Sequence, residues 1–223
     1  MKPADTWNNL WHKYQNINID QNSWRIFEQI CDHINLKGKK VLELGAGAGR
    51  LSYLILKNGA ESVTLVDYSN QALKHAKKLF GRRKKVNFIA SDLFDFSPRT
   101  KYDLVFSSGL IEHYRGKKFS DCLKKHFDLS SDLVIFVVPA SPHYNDLRAK
   151  MKKTIKDFGW QKPIKAKKME RVCQKFGSQI ILNKRFHTFY GIRFLSILSL
   201  PKAIDQKIGG LLITICQKRK KYE

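Results

Sequence analysis

Three glycines at alternate positions, Gly45, Gly47 and Gly49, form the part of the sequence best suited to bind a ligand through the backbone. They follow the mostly apolar run Val41–Leu44, which predicts a β-strand that ends at a glycine loop. Glycine lets the chain turn sharply and lets a ligand approach without touching a Cβ atom. The free N–H groups of a following helix attract a negative group. A dinucleotide loop needs glycine at its sixth position, which is Arg50 here, so the spacing disfavours a dinucleotide.

Two aspartates lie where a carboxylate can accept hydrogen bonds from a ligand. Asp67 ends the second predicted strand, about 20 residues after the glycines, and Asp92 follows the third. Aspartate has other common roles, so Asp67 beside Ser69 can also be interpreted as a helix cap, and Asp92 as a loop cap. Glu43 lies beneath the glycine turn, where a buried carboxylate without a partner would be costly.

An alternation of strands and helices must position these residues. Residues 50–57 and 69–80 have helical spacing of apolar side chains, and Gly81 ends the second helix. Five short apolar runs predict strands covered on both faces, at residues 41–44, 62–66, 86–90, 102–107 and 133–138. Two more runs, 178–184 and 211–216, predict a closing antiparallel pair. We therefore predict an α/β fold with a doubly wound, Rossmann-like sheet of seven strands, which binds ligands at the carboxyl ends of its parallel strands.

The flanks predict a cap around this sheet, within a single domain that covers residues 1–223. Residues 1–36 contain three of the four tryptophans and are expected to form one or two helices over the sheet edge, an N-terminal helical cap. Residues 141–190 predict a basic helical insertion before the last strands, with two short helices between residues 148 and 171. Residues 191–223 are expected to supply the closing strand and a basic tail.

The motifs resemble those of class I S-adenosylmethionine-dependent methyltransferases of the small-molecule type. The resemblance covers roughly residues 39–140, within a cofactor-binding core that we assign to residues 37–140. Four motifs occur in the expected order and at the expected spacing, and a fifth segment follows them; the five are Val41–Gly49, Leu65–Ser69, Ser91–Leu93, Tyr102–Ser107 and Ile111–His113. Each motif alone is weak, whereas their order and spacing together are specific.

The resemblance implies S-adenosylmethionine as the cofactor and gives roles to individual residues. Asp67 is expected to accept both ribose hydroxyls. Asp92 is expected to accept from the adenine amino group while the Leu93 N–H reaches a ring nitrogen. Glu43 is expected to organise the loop or to contact the amino group of the cofactor. The complete set of expected cofactor-binding residues is Glu43, Gly45, Ala46, Gly47, Asp67, Tyr68, Asp92, Leu93 and Ser107. No Cys or His spacing suggests a metal site.

Methyl transfer needs a positioned acceptor and, for an O–H or N–H acceptor, removal of its proton. His113 is the expected base because an imidazole titrates near neutrality, with Glu112, His143 and Tyr144 as other candidates. His113 can equally be a packing or capping residue, and His143 a loop residue.

A third residue of the expected catalytic set, Tyr14, shares one predicted helical face with Trp7 and Trp11. Such a stripe is most often a packing surface. The family resemblance also allows a second interpretation, in which this helix is a lid over the methionine end of the cofactor.

The formal net charge of +23 has three open interpretations: a face for RNA, attachment to an anionic membrane, or a solvated lysine-rich surface. Residues 141–223 carry 20 Lys and Arg against 5 Asp and Glu, which is +15 of that surplus. They contain no aromatic-interleaved RNA module. We therefore expect a small-molecule or lipid-like acceptor, with nucleic acid less favoured. The alternatives are an RNA or protein methyltransferase and a cofactor-binding protein without transfer activity.

The four cysteines are far apart in the sequence, and we expect them to be reduced thiols. The first residues contain no secretory apolar segment. No run approaches the ~18 apolar residues that a membrane span requires. These observations predict a cytoplasmic protein, and they leave its oligomeric state open.

Overall fold

The computed structural model describes residues 3–13, 17–187 and 201–219, with only the backbone at residues 3–6, 202 and 203. Two helices, α1 (Pro3–Lys13) and α2 (Gln21–Cys31), precede the sheet. The alternating core consists of β1 (Lys40–Leu44), α3 (Arg50–Lys57), β2 (Ser62–Asp67), α4 (Asn70–Phe80), β3 (Val86–Ala90), β4 (Tyr102–Ser108), a 3-10 helix (Ile111–His113), α5 (Gly116–Leu129) and β5 (Ser130–Pro139). The remaining elements are α6 (Tyr144–Arg148), α7 (Lys152–Phe158), α8 (Ala166–Lys175), β6 (Ser178–Phe186), α9 (Lys202–Ile208) and β7 (Leu211–Lys218).

The sheet has seven strands in the order β3-β2-β1-β4-β5-β7-β6. The first five in this order pair in parallel, and β7 pairs antiparallel with both β5 and β6. The predicted fold class and the antiparallel closing pair are confirmed. Strand order reverses direction at β1, which has β2 on one side and β4 on the other. The carboxyl ends of β1, β2 and β4 therefore lie side by side, which is where an open α/β sheet binds ligands.

Helices cover both faces of the sheet. On one face, α2, α3 and α4 bury apolar side chains such as Ile30, Ile55 and Phe80 against the strands. On the other face, α5 and α8 bury side chains such as Leu123 and Met169. Helix α2 therefore packs on a face of the sheet beside α3, and the prediction that the N-terminal helices lie over an edge is wrong for it. The three apolar residues Ile26, Phe27 and Ile30 put one stripe of α2 in the core.

The two short helices predicted between residues 148 and 171 are present as α7 and α8, and a further short helix of the basic insertion, α6, precedes them. The break predicted at Gly159 is confirmed, because this residue ends α7 with φ +70°, a left-handed conformation that glycine adopts without strain. Helix α1 packs against α4 and α7, so the N-terminal cap and the basic insertion touch each other.

The cysteine prediction is wrong for two of the four residues. Cys173 on α8 and Cys216 on β7 are joined in a disulfide, while Cys31 and Cys122 are free. The pair is separated by 43 residues in sequence, and only the packing of α8 on the sheet brings the two sulfurs together. No helix in the described ranges is both long enough and apolar enough to cross a membrane.

Candidate active site

The glycine loop between β1 and α3 is built as its composition predicts. Gly45 and Gly47 have φ values of +68° and +54°, a region that residues with a Cβ atom rarely adopt. Both positions are also tightly packed. A Cβ atom at Gly45 would lie 2.7 Å from Leu110 Cδ1, and one at Gly47 would lie 2.6 Å from Trp11 Cζ2. The loop is anchored to β2, because the N–H groups of Gly45 and Ala46 both donate to the Val66 carbonyl.

Asp67 holds the loop to the end of β2. Its Oδ2 accepts a hydrogen bond from the Gly47 N–H at 2.8 Å, and its Oδ1 accepts one from the Ser69 N–H at 2.8 Å. The helix cap of α4 is Ser69, whose Oγ accepts from the Ala72 N–H. Burial raises the pKa of Asp67, and these two backbone donors oppose the increase. Each carboxylate oxygen has a second lone pair that a ligand hydroxyl can use.

Glu43 is fixed beneath the loop by helix α3. The Ser52 Oγ donates to Glu43 Oε2 at 2.6 Å, and both side chains are buried. Burial raises the pKa of Glu43 to about 8, although the hydrogen bonds from Ser52 favour the charged form. The contact joins the end of β1 to the first turn of α3, which agrees with the expected role of Glu43 in organising the loop.

The predicted adenine-binding residues lie beside Asp67. The charges of Asp67 and Asp92 both add to the increase that burial causes in the pKa of Tyr68, so both carboxylates lie near that phenol. Asp92 is exposed, and its Oδ1 accepts from the Phe94 N–H at 2.9 Å, whereas Leu93 is buried. This loop-capping contact engages one Asp92 oxygen, and the predicted contacts with adenine stay predictions.

Ser107 has a different environment from the other predicted cofactor residues. Its hydroxyl is buried and lies 2.9 Å from His126 Nε2 on α5. His126 Nδ1 donates to the Cys122 carbonyl, so Nε2 is the acceptor of the Ser107 proton in the neutral ring. Burial lowers the pKa of His126 to about 4, which keeps the ring neutral. The hydroxyl therefore stabilises the packing of α5, and a cofactor contact by Ser107 stays a prediction.

His113, the predicted base, ends the 3-10 helix that follows β4. Its Nδ1 lies 2.9 Å from the Trp160 carbonyl oxygen, which can only accept, so Nδ1 carries the proton and Nε2 keeps its lone pair. The Trp7 ring of α1 packs edge-on against the imidazole at a centroid distance of 5.1 Å. Burial lowers the pKa of His113, so the ring is neutral at neutral pH. This is the protonation state that a general base requires.

Glu112, the neighbouring candidate, is 3 % exposed, and its Oε2 has no hydrogen-bond partner among the described residues. Burial raises the pKa of Glu112 to about 8, against the opposing charge of Arg148. Because the charge of Arg148 does not cancel the effect of burial on this pKa, the side chain is mainly a neutral carboxylic acid at neutral pH. Sequence spacing identified Glu112 as a candidate base, whereas only the structure reveals a buried oxygen without a partner.

The other predicted catalytic residues have less direct support. His143 caps α6: its Nδ1 accepts from the Asn145 N–H at 3.2 Å, while its backbone N–H donates to Asp146 Oδ2 at 2.9 Å. One ring nitrogen of His143 is therefore used to cap α6, in agreement with the interpretation of His143 as a loop residue. Tyr14 lies outside the described residues, and Tyr144 is exposed.

Two cavities lie at this edge of the sheet. The larger has a volume of about 990 Å³ and is enclosed by the segment after β4, the turn after β5 and the start of α8; Glu112, Tyr114, His143 and Trp160 are among its lining residues. The smaller, of about 200 Å³, lies between the start of α2 and the ends of β4 and β5, beside Asn22 and Gly109. Sequence reasoning missed Trp160 and Asn22, because neither belongs to a motif. The described residues contain no cluster of His, Cys, Asp and Glu able to hold a metal ion.

The described geometry matches known proteins at the same region of the chain. Residues 41–131 match the family model described as a methyltransferase domain. These residues are a methyltransferase domain. The match covers the glycine loop, Asp67 and the 3-10 helix, so the resemblance to class I S-adenosylmethionine-dependent methyltransferases is confirmed, and S-adenosylmethionine is the cofactor of such a domain.

Curated relatives of the methyltransferase domain act on different acceptors. The chain is 30% identical over 113 residues to malonyl-acyl-carrier-protein O-methyltransferase 2 of Ilyobacter polytropus, with 50% of this chain and 44% of that protein covered. It is 28% identical over 131 residues to tRNA U34 carboxymethyltransferase of Alteromonas mediterranea, with 53% and 39% covered. The chain thus spans less than half the length of each of these relatives.

A solved structure shows the same fold over nearly the entire chain. Magnesium protoporphyrin IX methyltransferase from Synechocystis PCC 6803, crystallised with bound SAH, has a TM-score of 0.66 and 17% sequence identity. The alignment covers 96% of this chain and 93% of that one. At this identity the likeness concerns the fold, which includes the flanks of the methyltransferase domain.

Proposed function

We propose that this protein transfers a methyl group from S-adenosylmethionine to an oxygen or nitrogen atom of a small-molecule or lipid-like acceptor. The observation that carries the proposal is the pair of hydrogen bonds by which Asp67 holds Gly47 and Ser69. They place a carboxylate with spare lone pairs directly beside a left-handed glycine loop. This combination offers both the close backbone approach and the hydroxyl acceptor that an adenosine cofactor needs.

The residues at the carboxyl ends of β1, β2 and β3 fit the cofactor. Asp67 would accept the ribose hydroxyls, and Asp92 and the Leu93 N–H would recognise the adenine ring. Glu43 and Ser52 support the loop from below. When bound, S-adenosylmethionine supplies a methyl group that is already activated by the positive charge on its sulfur. What remains for the chain is to orient the acceptor and to take its proton.

His113 is the residue that we propose for proton removal. Its Nδ1 proton is directed to the Trp160 carbonyl, so that Nε2 is the atom that receives a proton from an O–H or N–H acceptor. The neutral ring has this capacity at neutral pH because burial lowers its pKa. Trp7 packs against the imidazole and thereby links α1 to the base. We propose that α1 excludes water from the site as well as packing on the domain.

We infer the acceptor class from the larger cavity, because the named relatives act on different acceptors. A cavity of about 990 Å³ is within the range that holds small organic ligands and is narrow for a folded RNA. One relative is named an O-methyltransferase of a carrier-protein-bound acid and another a tRNA carboxymethyltransferase. The net charge of +23 is the observation that favours RNA as a second candidate. An anionic membrane surface is a further proposed partner, and cytoplasmic localisation stays a prediction.

Calorimetric titration with S-adenosylmethionine tests the cofactor assignment. We expect Asp67→Ala to weaken binding, because losing a hydrogen bond to a charged group costs about 1.5–3 kcal/mol, or roughly a ten- to hundredfold increase in Kd. Asp67→Asn keeps the shape and separates the loss of charge from the loss of loop support. Asp121→Asn is the matched control, since this α5 carboxylate forms an ion pair with the exposed Lys117. Unchanged affinity in a folded Asp67→Ala protein would reject the assignment.

A further inference from the structure

The larger cavity is lined by more cations than anions. Two carboxyl groups, those of Glu112 and Asp146, face it. The cations in its lining are Arg115, Lys162, Lys165 and Lys168. None of these four forms an ion pair within 4.0 Å in the described part of the chain, where the ion pairs all involve other residues. The positive charge around the cavity is therefore not neutralised by the protein.

Two of the cations are held against aromatic rings of the same cavity. The Arg115 guanidinium lies 4.9 Å from the centre of the Trp160 ring, and the Lys168 Nζ lies 3.7 Å from the centre of the Phe119 ring. Partial burial and the nearby charge of Lys162 lower the pKa of Lys168, which shows that these two lysines repel each other. An anion between them would remove that repulsion, and the aromatic rings offer an apolar surface beside it.

The carboxyl group of Glu112 supplies a second, independent observation. It is 3 % exposed, it lines the cavity, and its Oε2 has no hydrogen-bond partner among the described residues. Leaving a buried polar atom unpaired is unfavourable, and a ligand that pairs with the atom removes this penalty. Because burial raises the pKa of Glu112 to about 8, the group is protonated at neutral pH and can donate to a ligand oxygen.

We propose, on the basis of the proposed methyltransferase function, that the acceptor is an amphipathic anion whose carboxylate or phosphate group contacts Lys162, Lys165 and Lys168 while its apolar part packs on Trp160 and Phe119. The neutral Glu112 donates a hydrogen bond to this acceptor. Glu112, which lines the cavity, directly precedes His113, the last residue of the 3-10 helix, so an acceptor bound there lies near the proposed base. Charge in the cavity thereby selects the substrate class, and the glycine loop selects the cofactor.

Fluorescence titration of the full chain with two probes tests this proposal. 1-Anilinonaphthalene-8-sulfonate and N-phenyl-1-naphthylamine share their ring system, and only the first carries an anionic group. We expect the sulfonate to bind more tightly. We also expect the double variant Lys165→Ala/Lys168→Ala to weaken sulfonate binding by about tenfold, as the loss of one to two partly desolvated charge contacts implies. The neutral probe has no charge contact to lose, so its Kd should change by less than about twofold.

The matched control is Lys84→Ala/Lys85→Ala, which removes two exposed lysines before β3, at the opposite end of the sheet. This variant should bind both probes as the unmodified protein does. All four substituted lysines are exposed, so each variant should fold, which circular dichroism verifies. Equal affinity for the two probes, or equal losses in the two double variants, would overturn the proposal. Displacement of the sulfonate by S-adenosylmethionine would also overturn it, because the probe would then lie in the cofactor site.

Displacement of the bound sulfonate distinguishes the possible sources of the anion. Decanoate stands for a free carboxylic acid, decyl phosphate for a phosphorylated lipid, and decanol for the same chain without charge. At least one of the two anions should displace the probe at a much lower concentration than decanol does. Displacement by short RNA alone would replace the proposal with the nucleic-acid alternative. Calorimetry with S-adenosylmethionine on the Lys165→Ala/Lys168→Ala protein keeps the two hypotheses apart, because retained cofactor affinity leaves the methyltransferase proposal standing whatever the probes do.

Discussion

At the scale of single residues, burial sets the protonation states of this site. Glu43 and Glu112 have raised pKa values of about 8, and desolvation is the largest cause for both. His113 has a lowered pKa for the same reason, with its hydrogen bond to the Trp160 carbonyl opposing the effect. A site that contains neutral acids and a neutral imidazole can hold an anion without repulsion and can still accept a proton. Both capacities are needed for an anionic O–H or N–H acceptor.

Nuclear magnetic resonance titration of the histidine rings tests the protonation state of the base. We expect the pKa of His113 to lie below the ordinary value of 6.5, with the proton on Nδ1 at neutral pH. The rate of methyl transfer should then fall in acid, where Nε2 becomes protonated, and should also fall above about pH 8, where Glu112 loses the proton that it donates to the acceptor. The histidine signal that is lost in the His113→Gln variant is the signal of His113. His33 is the control because its ring is exposed. A His113 pKa at or above 6.5 would contradict the predicted state.

At the scale of elements, several contacts attach helix α1 to the cofactor side of the domain. The Ser69 hydroxyl donates to Asn8 Oδ1 at 2.7 Å, and His75 Nε2 donates to the Trp11 carbonyl at 2.9 Å. The Trp11 ring also lies against Gly47, so close that a Cβ atom at Gly47 would clash with it. The helix thus packs on the domain and covers the glycine loop at the same time, and the two interpretations of its aromatic stripe are compatible.

The substitution Gly47→Ala tests this packing. Both the left-handed φ and the 2.6 Å approach to Trp11 oppose a methyl group at this position. Gly177→Ala is a matched control, since Gly177 has φ +62° and no atom within 4 Å of its Cβ position. We expect each variant to lose about 1–2 kcal/mol of unfolding free energy through backbone strain, and Gly47→Ala to lose more because of the clash.

A double variant separates the two causes. In a Trp11→Ala background, the excess loss at Gly47 should disappear while the strain shared with Gly177 remains. Urea unfolding measures the free energies, and calorimetry shows whether cofactor affinity follows them. Equal losses for Gly47→Ala and Gly177→Ala in the unmodified background would mean that Trp11 does not rest on the loop in solution.

At the scale of the whole molecule, the charge is strongly unbalanced. Of the net +23, residues 141–223 contribute +15, with 20 Lys and Arg against 5 Asp and Glu. Helices α7 and α8 carry part of this surplus, and α7 contacts α1 at the cofactor side. Like charges at this density destabilise the compact state through repulsion, and salt screens that repulsion. The basic surface is therefore a cost in stability that an anionic ligand or partner reduces.

Thermal unfolding at two salt concentrations tests this cost. Between about 20 and 200 mM KCl, screening of surface charges should raise the Tm by a few degrees, because about 1 kcal/mol corresponds to roughly 2–4 °C in a domain of this size. The double variant Lys153→Gln/Lys156→Gln removes two exposed charges of α7 and should show a smaller rise. A Tm that falls with added KCl would show that attractive ion pairs outweigh the repulsion.

Local features of this protein could be predicted from its sequence. The glycine loop, the carboxylate at the end of β2 and the alternation of strands and helices depend on neighbouring residues, so their patterns are visible along the chain. The closing pair of β6 and β7 was equally visible as two apolar runs. Features that join distant segments were not predicted correctly, among them the Cys173–Cys216 disulfide, whose partners are 43 residues apart, and the packing of α2 on a sheet face.

The sequence by itself determined the fold class, the cofactor loop and the family of the domain, since each arises from short-range backbone preferences and ordered motifs. Only the tertiary structure decided what surrounds the base and the acceptor. The lone pair of His113 is set by a carbonyl 47 residues away, and Glu112, whose Oε2 has no partner among the described residues, lines a cavity assembled from three separate segments. Burial and neighbouring charge depend on three-dimensional packing, and these two quantities control which proton moves and which acceptor binds.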